Sequence, residues 1–289
     1  MTINQVTVIG SGTMGRGIAY ISALGGFKTI LQDVSPEMLK SAITIIQANL
    51  QKAVERNLIS GGEATAAIDN LVQESNLEKA VAGTDFVIEA IPEKIDLKTA
   101  LYSELDKRCP STTIFASNTS SLSVTEMAAV VSRPNQFIGM HFFNPVHKMK
   151  LVEIVRGLET DESTIQLTKA VAEKMGKETV VIKESPGFIT SRINAMIGNE
   201  AFYMLQEGIS TPEEIDKALK LGLNHPMGPF EMVDLVGLDT RLSILKFLHQ
   251  TLGEKYRPCP LLERYVKAGR LGRKSGKGVY DYSKNEEKS

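Results

Sequence analysis

Two rhythms of apolar and polar positions divide the chain. In the first part, short runs rich in β-branched and aromatic residues read as buried strands: Val6–Ile9, Phe27–Leu31, Asp85–Ala90 and Thr112–Ser117. Between them the apolar spacing turns helical. Arg16 to Leu24 follows the first strand, Glu37 to about Asn57 the second, and Lys94 to Arg108 the third. The long helix starts at Ser35-Pro36, an N-cap with Pro at the first helical position. It keeps Leu39, Ile43, Ile46, Leu50 and Val54 on one side, and Gly61-Gly62 is expected to break it. A shorter helix and a strand around Leu71 come next. Strands alternating with helices predict a parallel sheet with helices on both faces.

Near residue 137 the rhythm changes. Gln136–Phe142 and Leu151–Val155 are both strand-like, and the connection between them is too short for a helical crossover, which predicts an antiparallel pair at the sheet edge. A helix from about Ser163 to Met175 and a strand over Thr179–Ile182 complete this part. Beyond Ser185-Pro186 only helical patterns remain: Gly187–Gln206, a helix after the capping box Thr211-Pro212-Glu213-Glu214, then Phe230–Val236, Asp239–Leu252 and Leu261–Lys267. The basic stretch Gly269–Gly278 reads as a flexible tail. The fold class expected is α/β: a Rossmann-type, mostly parallel sheet domain over residues 1–184 and an all-helical domain over 185–289. Helices apolar on more than one side suit that second domain to a subunit interface.

The first strand runs straight into Gly10-Ser-Gly12-Thr13-Met14-Gly15, the spacing G-x-G-x-x-G, and then into a helix. Gly10 allows the tight turn, Gly12 lets backbone approach a pyrophosphate, and Gly15 lets the helix lie close to the strand. The helix N-terminus offers unpaired N–H groups and a positive dipole end to phosphate. Asp33 ends the second strand 18 residues after Gly15, where the acceptor for a ribose 2′-hydroxyl is expected at about 20 residues. A 2′-phosphate would meet a like charge there, and no Arg or Lys occupies 34–37, so the cofactor expected is NAD rather than NADP.

Composition narrows the picture. The chain has 289 residues, enough for one large domain or two smaller ones. Its 33 basic and 34 acidic residues leave no net field to attract nucleic acid or an anionic membrane. Cys109 and Cys259 provide neither a disulfide framework nor a metal cluster, and suit a reducing compartment. No apolar run approaches membrane-spanning length, and the first strand follows Met1 too closely for a leader peptide. A cytoplasmic location is expected.

Ligands of such sheets bind outside the carboxyl ends of the strands. Ser117-Asn118-Thr119-Ser120, His141 and Glu153 lie there in this reading. If the two late strands pair, a carboxylate on one reaches an imidazole on the other. Oxidising an alcohol by hydride transfer needs a base for the hydroxyl proton, and histidine titrates near working pH. The same residues would equally serve as a hydrogen-bonded strand-end histidine, a satisfied carboxylate and a capped turn. His225 in its Pro/Gly-rich turn reads as structural, and His147 and His249 have no partner visible in sequence.

The segments Ser117–Ser121, Gly139-Met-His-Phe-Phe-Asn-Pro145, Lys150–Ile154, Pro186-Gly-Phe188 and Leu221–Phe230 resemble the 3-hydroxyacyl-CoA dehydrogenase family in its short, single-function form, over essentially the whole chain. The resemblance implies NAD-dependent, reversible oxidation of an (S)-3-hydroxyacyl-CoA, and a homodimer formed through the C-terminal domain. It makes His141 the general base and Glu153 its carboxylate partner. Ser120 becomes the serine that hydrogen-bonds the substrate's 3-oxygen, and Asn144 a residue near nicotinamide and substrate. Asp33 is the ribose-binding acid, with Glu93 and Lys98 lining the cofactor site. Asn118 is assigned to that site with Gly10, Gly12, Thr13, Met14 and Gly15. Ser191 stands where family members commonly have Asn. Lys52 and Arg56, one turn apart on the long helix, offer a place for the CoA nucleotide end, or simply a solvated face. Two rivals share the pattern: a dehydrogenase of a free hydroxy acid, and a non-catalytic, crystallin-like or NAD-sensing relative.

Overall fold

In a computed structural model, residues 2–283 are described. The chain divides into two compact units, Met1–Ser185 and Pro186–Ser289.

The first unit is built on strand β1 (Gln5–Ile9), buried at every position, as its run of apolar and β-branched residues requires of a central parallel strand. Helix α1 (Thr13–Leu24) crosses over to β2 (Lys28–Gln32), and α2 (Pro36–Glu55), α3 (Gly61–Asp69) and β3 (Leu71–Glu74) follow. After α4 (Leu77–Val81) the chain returns to the other side of β1 with β4 (Phe86–Glu89), α5 (Ile95–Arg108) and β5 (Ile114–Ser117). Then come α6 (Val124–Ala128), β6 (Phe137–Phe142), β7 (Leu151–Arg156), α7 (Glu162–Lys174) and β8 (Glu178–Lys183). The sheet has eight strands in the order β3-β2-β1-β4-β5-β6-β7-β8. Strand order reverses between β1 and β4. Right-handed crossovers on either side of that point place helices on opposite faces and open a crevice at the carboxyl ends of both strands.

The antiparallel pairing of β6 with β7 is present, but not at the edge. β8 runs parallel to β7 and takes the edge itself, so the pair lies inside the sheet. Gly61 and Gly62 do not merely break a helix. α2 stops at Glu55, Asn57 takes a left-handed φ of 53°, and Ser60 opens α3 with a reciprocal bond to Glu63 that places both glycines in its first turn. The five-residue helices α4 and α6 were too short to show a period, and are started by Asn76 and Ser123 caps.

The second unit contains α8 (Thr190–Gln206), α9 (Pro212–Gly222), α10 (Pro229–Val236), α11 (Leu238–Leu252) and α12 (Pro260–Lys267) around a core that includes Phe202, Phe230, Leu245, Leu248 and Leu262. α8 begins later than its pattern suggests, because Gly187 and Phe188 both take left-handed φ (73° and 51°) in a turn before it. At α9 Thr211 accepts from Glu214 N, while the Glu214 carboxylate faces Lys217 at 3.5 Å, so the expected reciprocal bond is replaced by an ion pair. The basic stretch is not a loose tail. The carboxylate of Asp234, 1% exposed, accepts from Val279 N, Tyr280 N and the Tyr282 hydroxyl. Arg270 donates to the Gly278 and Val279 carbonyls, and Lys274 to Asp239. Among the described residues, no helix is long and apolar enough to cross a membrane.

Candidate active site

The glycine turn sits at the switch point. Gly10 has φ 96°, and a Cβ there would stand 2.8 Å from the Ala90 carbonyl oxygen just past β4. A Cβ on Gly15 would overlap the Gly10 carbonyl oxygen outright. Gly12 differs: a Cβ there meets nothing within 4 Å, and α1 has no side-chain cap. Open space above uncapped amides is what a diphosphate needs, so this chain fits the cofactor its spacing implies. Thr13 and Met14 form the first turn of α1, Thr13 exposed and Met14 packed in part against the core.

Asp33 lies beside the turn. Its Oδ2 accepts from Ser11 N and Ser11 Oγ, both at 2.8 Å, and its Oδ1 from Ser35 N at 3.1 Å. Burial alone would raise its pKa, but those hydrogen bonds outweigh burial and hold it below the usual carboxylate range.

At the end of β4 and the start of α5 is a polar cluster only partly legible in sequence. Lys98, with a fully buried side chain, reaches Glu89 at 2.5 Å and Glu93 at 3.3 Å. Glu89, equally buried, also accepts from Ser117 Oγ at 2.6 Å and from Ile91 N at 2.8 Å. Burial first, and the Glu89 charge second, push the Tyr102 phenol well above its ordinary range. Lys98 thus spends its charge on two carboxylates. Sequence reasoning passed over Glu89, although a Glu closing an otherwise apolar strand was a signal that a cation waits for it.

His141 and Glu153 are direct partners in the antiparallel β6–β7 register, and their side chains meet: His141 Nδ1 lies 2.8 Å from Glu153 Oε2. The residues are 6% and 1% exposed. The Phe143 ring lies against the imidazole, centroids 4.5 Å apart. Asn118 Oδ1 accepts from Phe142 N at 3.0 Å, tying the end of β5 to the residue after the histidine. Ser120 and Asn144 are exposed on the loops that follow β5 and β6.

Elsewhere in this unit Lys52 and Arg56 line a cavity of about 800 Å³ together with His147, Lys148, Lys174 and Lys177. Lys177 Nζ donates to the Val146 and Met149 carbonyls, and burial lowers its pKa. Burial, then Lys148 and Lys177, also lower that of His147. His249 pairs with Glu254 at 3.1 Å in the second unit.

The family model for the 3-hydroxyacyl-CoA dehydrogenase NAD binding domain matches residues 5–185, and that for the C-terminal domain matches 187–282. The chain belongs to the 3-hydroxyacyl-CoA dehydrogenase family. It is 49% identical to a probable 3-hydroxybutyryl-CoA dehydrogenase of Bacillus subtilis (strain 168), over 98% of each chain. It is 46% identical to 3-hydroxybutyryl-CoA dehydrogenase of Bradyrhizobium diazoefficiens, covering 97% of this chain and 96% of that one. The crystal structure of (S)-3-hydroxybutyryl-CoA dehydrogenase from Ralstonia eutropha superposes with a TM-score of 0.95 at 41% identity, over 98% of this chain and 100% of that one. As a 3-hydroxyacyl-CoA dehydrogenase the protein is an NAD-dependent oxidoreductase, and the glycine turn and Asp33 belong to its NAD binding domain.

Proposed function

We propose that this enzyme interconverts (S)-3-hydroxybutyryl-CoA and its 3-oxo form, with His141 as the general base and Glu153 as its partner. The observation that carries the reading is the His141–Glu153 hydrogen bond at 2.8 Å, made by two side chains with almost no solvent contact. When bound, NAD supplies the acceptor for the hydride leaving C3. Gly10, Gly12, Thr13, Met14 and Gly15 would hold its diphosphate and Asp33 its ribose, with Glu93 and Asn118 lining the remainder and the fully buried Lys98 holding Glu93 from behind rather than lining the site itself.

With Nδ1–H given to Glu153, the imidazole presents Nε2 as the basic nitrogen. Nε2 takes the substrate hydroxyl proton as C3 is oxidised, and returns it in reduction. The Glu153 carboxylate fixes that tautomer and stabilises the imidazolium, the logic by which an acid orients histidine in hydrolytic triads. Ser120 donates to the substrate's 3-oxygen, and Asn144 stands beside the reacting carbon. The basic cavity with Lys52 and Arg56 takes the phosphates of CoA.

The N-terminal unit is the nucleotide-binding domain, and the helical unit serves substrate binding and homodimerisation. Supporting the dimer are large apolar side chains that the second unit leaves exposed, among them Ile193 at 57%, Leu221 at 77% and Leu223 at 65%. Cys109 and Cys259, both free and buried, suit the reducing cytoplasm.

The test is a chain-length series of 3-oxoacyl-CoA substrates with NADH and NADPH, set beside free acetoacetate. Acetoacetyl-CoA with NADH is expected to give the highest kcat/KM. Equal turnover of acetoacetate would make it a free-acid dehydrogenase, and no NADH oxidation with any acyl-CoA would leave only a nucleotide binder.

A further inference from the structure

We infer that Thr119, acting through the Glu93 carboxylate, is a positioning residue that presents Ser120 to the substrate, a role that rests on the reading of Ser120 given above. Glu93 Oε1 gathers donors from three consecutive residues: Thr119 Oγ1 at 2.6 Å, Ser120 N at 2.7 Å and Ser121 N at 3.2 Å. Thr119 Oγ1 in turn accepts from Leu122 N at 2.9 Å and Ser121 N at 3.3 Å. A hydroxyl has one proton to give and two lone pairs to offer. Here the proton goes to the carboxylate and the lone pairs to the amides, so every capacity of Thr119 is used within this turn.

Neighbouring residues face opposite ways. Thr119 is 0% exposed, while Ser120 is exposed. The inward residue is clasped and the outward one is free only in its own rotor. The clasp is anchored from behind as well, since Lys98 Nζ sits 3.3 Å from Glu93 Oε2 and 2.5 Å from the buried Glu89. Glu89 is fixed by Ser117 Oγ and Ile91 N. A chain of charge-assisted bonds therefore runs from the ends of β4 and β5 to the backbone of Ser120. A reacting group must be held to within a fraction of an ångström by residues that are themselves locked, and this arrangement does so for one loop hydroxyl.

The test is a double-mutant cycle between Thr119 and Ser120, read as kcat and KM for acetoacetyl-CoA with NADH. Thr119→Val keeps the shape and loses the hydroxyl, whereas Thr119→Ser keeps the hydroxyl. Thr119→Val is expected to lower kcat/KM about tenfold, mainly in kcat, and Thr119→Ser to stay within about threefold of the parent. On a Ser120→Ala background Thr119→Val is expected to cost less than about twofold, because the group it positions is gone. An undiminished cost on that background overturns the inference, as does a Thr119→Ser variant no better than Thr119→Val. If Ser120→Ala is costly and the two changes simply add, only the clasp fails. If Ser120→Ala is as active as the parent, the assigned role of Ser120 fails and takes the clasp with it. Should Thr119→Val not fold, Thr119→Ala, which also removes the hydroxyl, replaces it in the same cycle, and a cost undiminished by Ser120→Ala overturns the inference.

Discussion

Single residues here carry requirements that their type alone does not announce. The three glycines of the turn look alike in sequence, yet only Gly10 and Gly15 are forced by close backbone approach. Gly15→Ala should therefore abolish folding of the first unit, seen as loss of soluble protein. Gly12→Ala should fold with near-parent thermal stability and bind NADH more weakly by titration. Asp33 gives a pH signature with a definite sign. Its folded pKa lies below its ordinary value, so its contribution to stability is complete above the ordinary carboxylate range and is lost as pH falls through the lowered value. Asp33→Asn should flatten the acid limb of a urea-midpoint profile taken from pH 5 to pH 2. Ser191 lies in the first turn of α8, where the family resemblance leads us to expect an amide rather than a shorter hydroxyl. Ser191→Asn is expected to raise kcat/KM modestly, by at most about tenfold, the worth of one neutral hydrogen bond. An unchanged or lower value would show that the position does not serve the reaction.

At the scale of elements, the decisive feature is the β6–β7 register. Side chains alternate across a strand, so a slip of one residue would send His141 and Glu153 to opposite faces and dissolve the pair. Gly139 helps hold that register, since a Cβ there would press to 2.8 Å of Val155 Cβ, its partner across the ladder. Glu153→Gln keeps the size and removes the charge that we propose stabilises the imidazolium. It is expected to cut kcat about a hundredfold, with a smaller change in KM, in steady-state assays with acetoacetyl-CoA. A loss confined to KM would detach Glu153 from the chemical step. Both strands and their antiparallel sense were legible, because the eight-residue connection forbids a crossover. Their interior place was not: β8 joins by pairing between segments distant in sequence, and an edge or a central position leaves the same local alternation.

Across the whole molecule, buried carboxylates do work that a pattern of charges in sequence does not disclose. Asp234 closes the C-terminal segment onto the helical unit through two amides and one hydroxyl, and Gly272 and Gly278 leave no room for a side chain beside it. Asp234→Ala leaves those donors without their acceptor and is expected to cost about 2–5 kcal/mol in chemical denaturation. A cost under about 0.5 kcal/mol would mean that the segment holds itself. The stretch reads as a loose basic tail because its partners, Asp234 and Asp239, lie some 40 residues upstream. Local order determined the glycine turn, the alternation of strand and helix, the change to all-helical pattern and the residue types of the proposed site, because periodicity and turn chemistry act over a few residues. Only the tertiary structure decided that the β6–β7 pair lies inside the sheet, that Lys98 is spent on Glu89 and Glu93, and that Glu93 gathers the Ser120 loop. Those depend on which strand ends, loops and helix starts the sheet brings together, and spacing along the chain does not fix that.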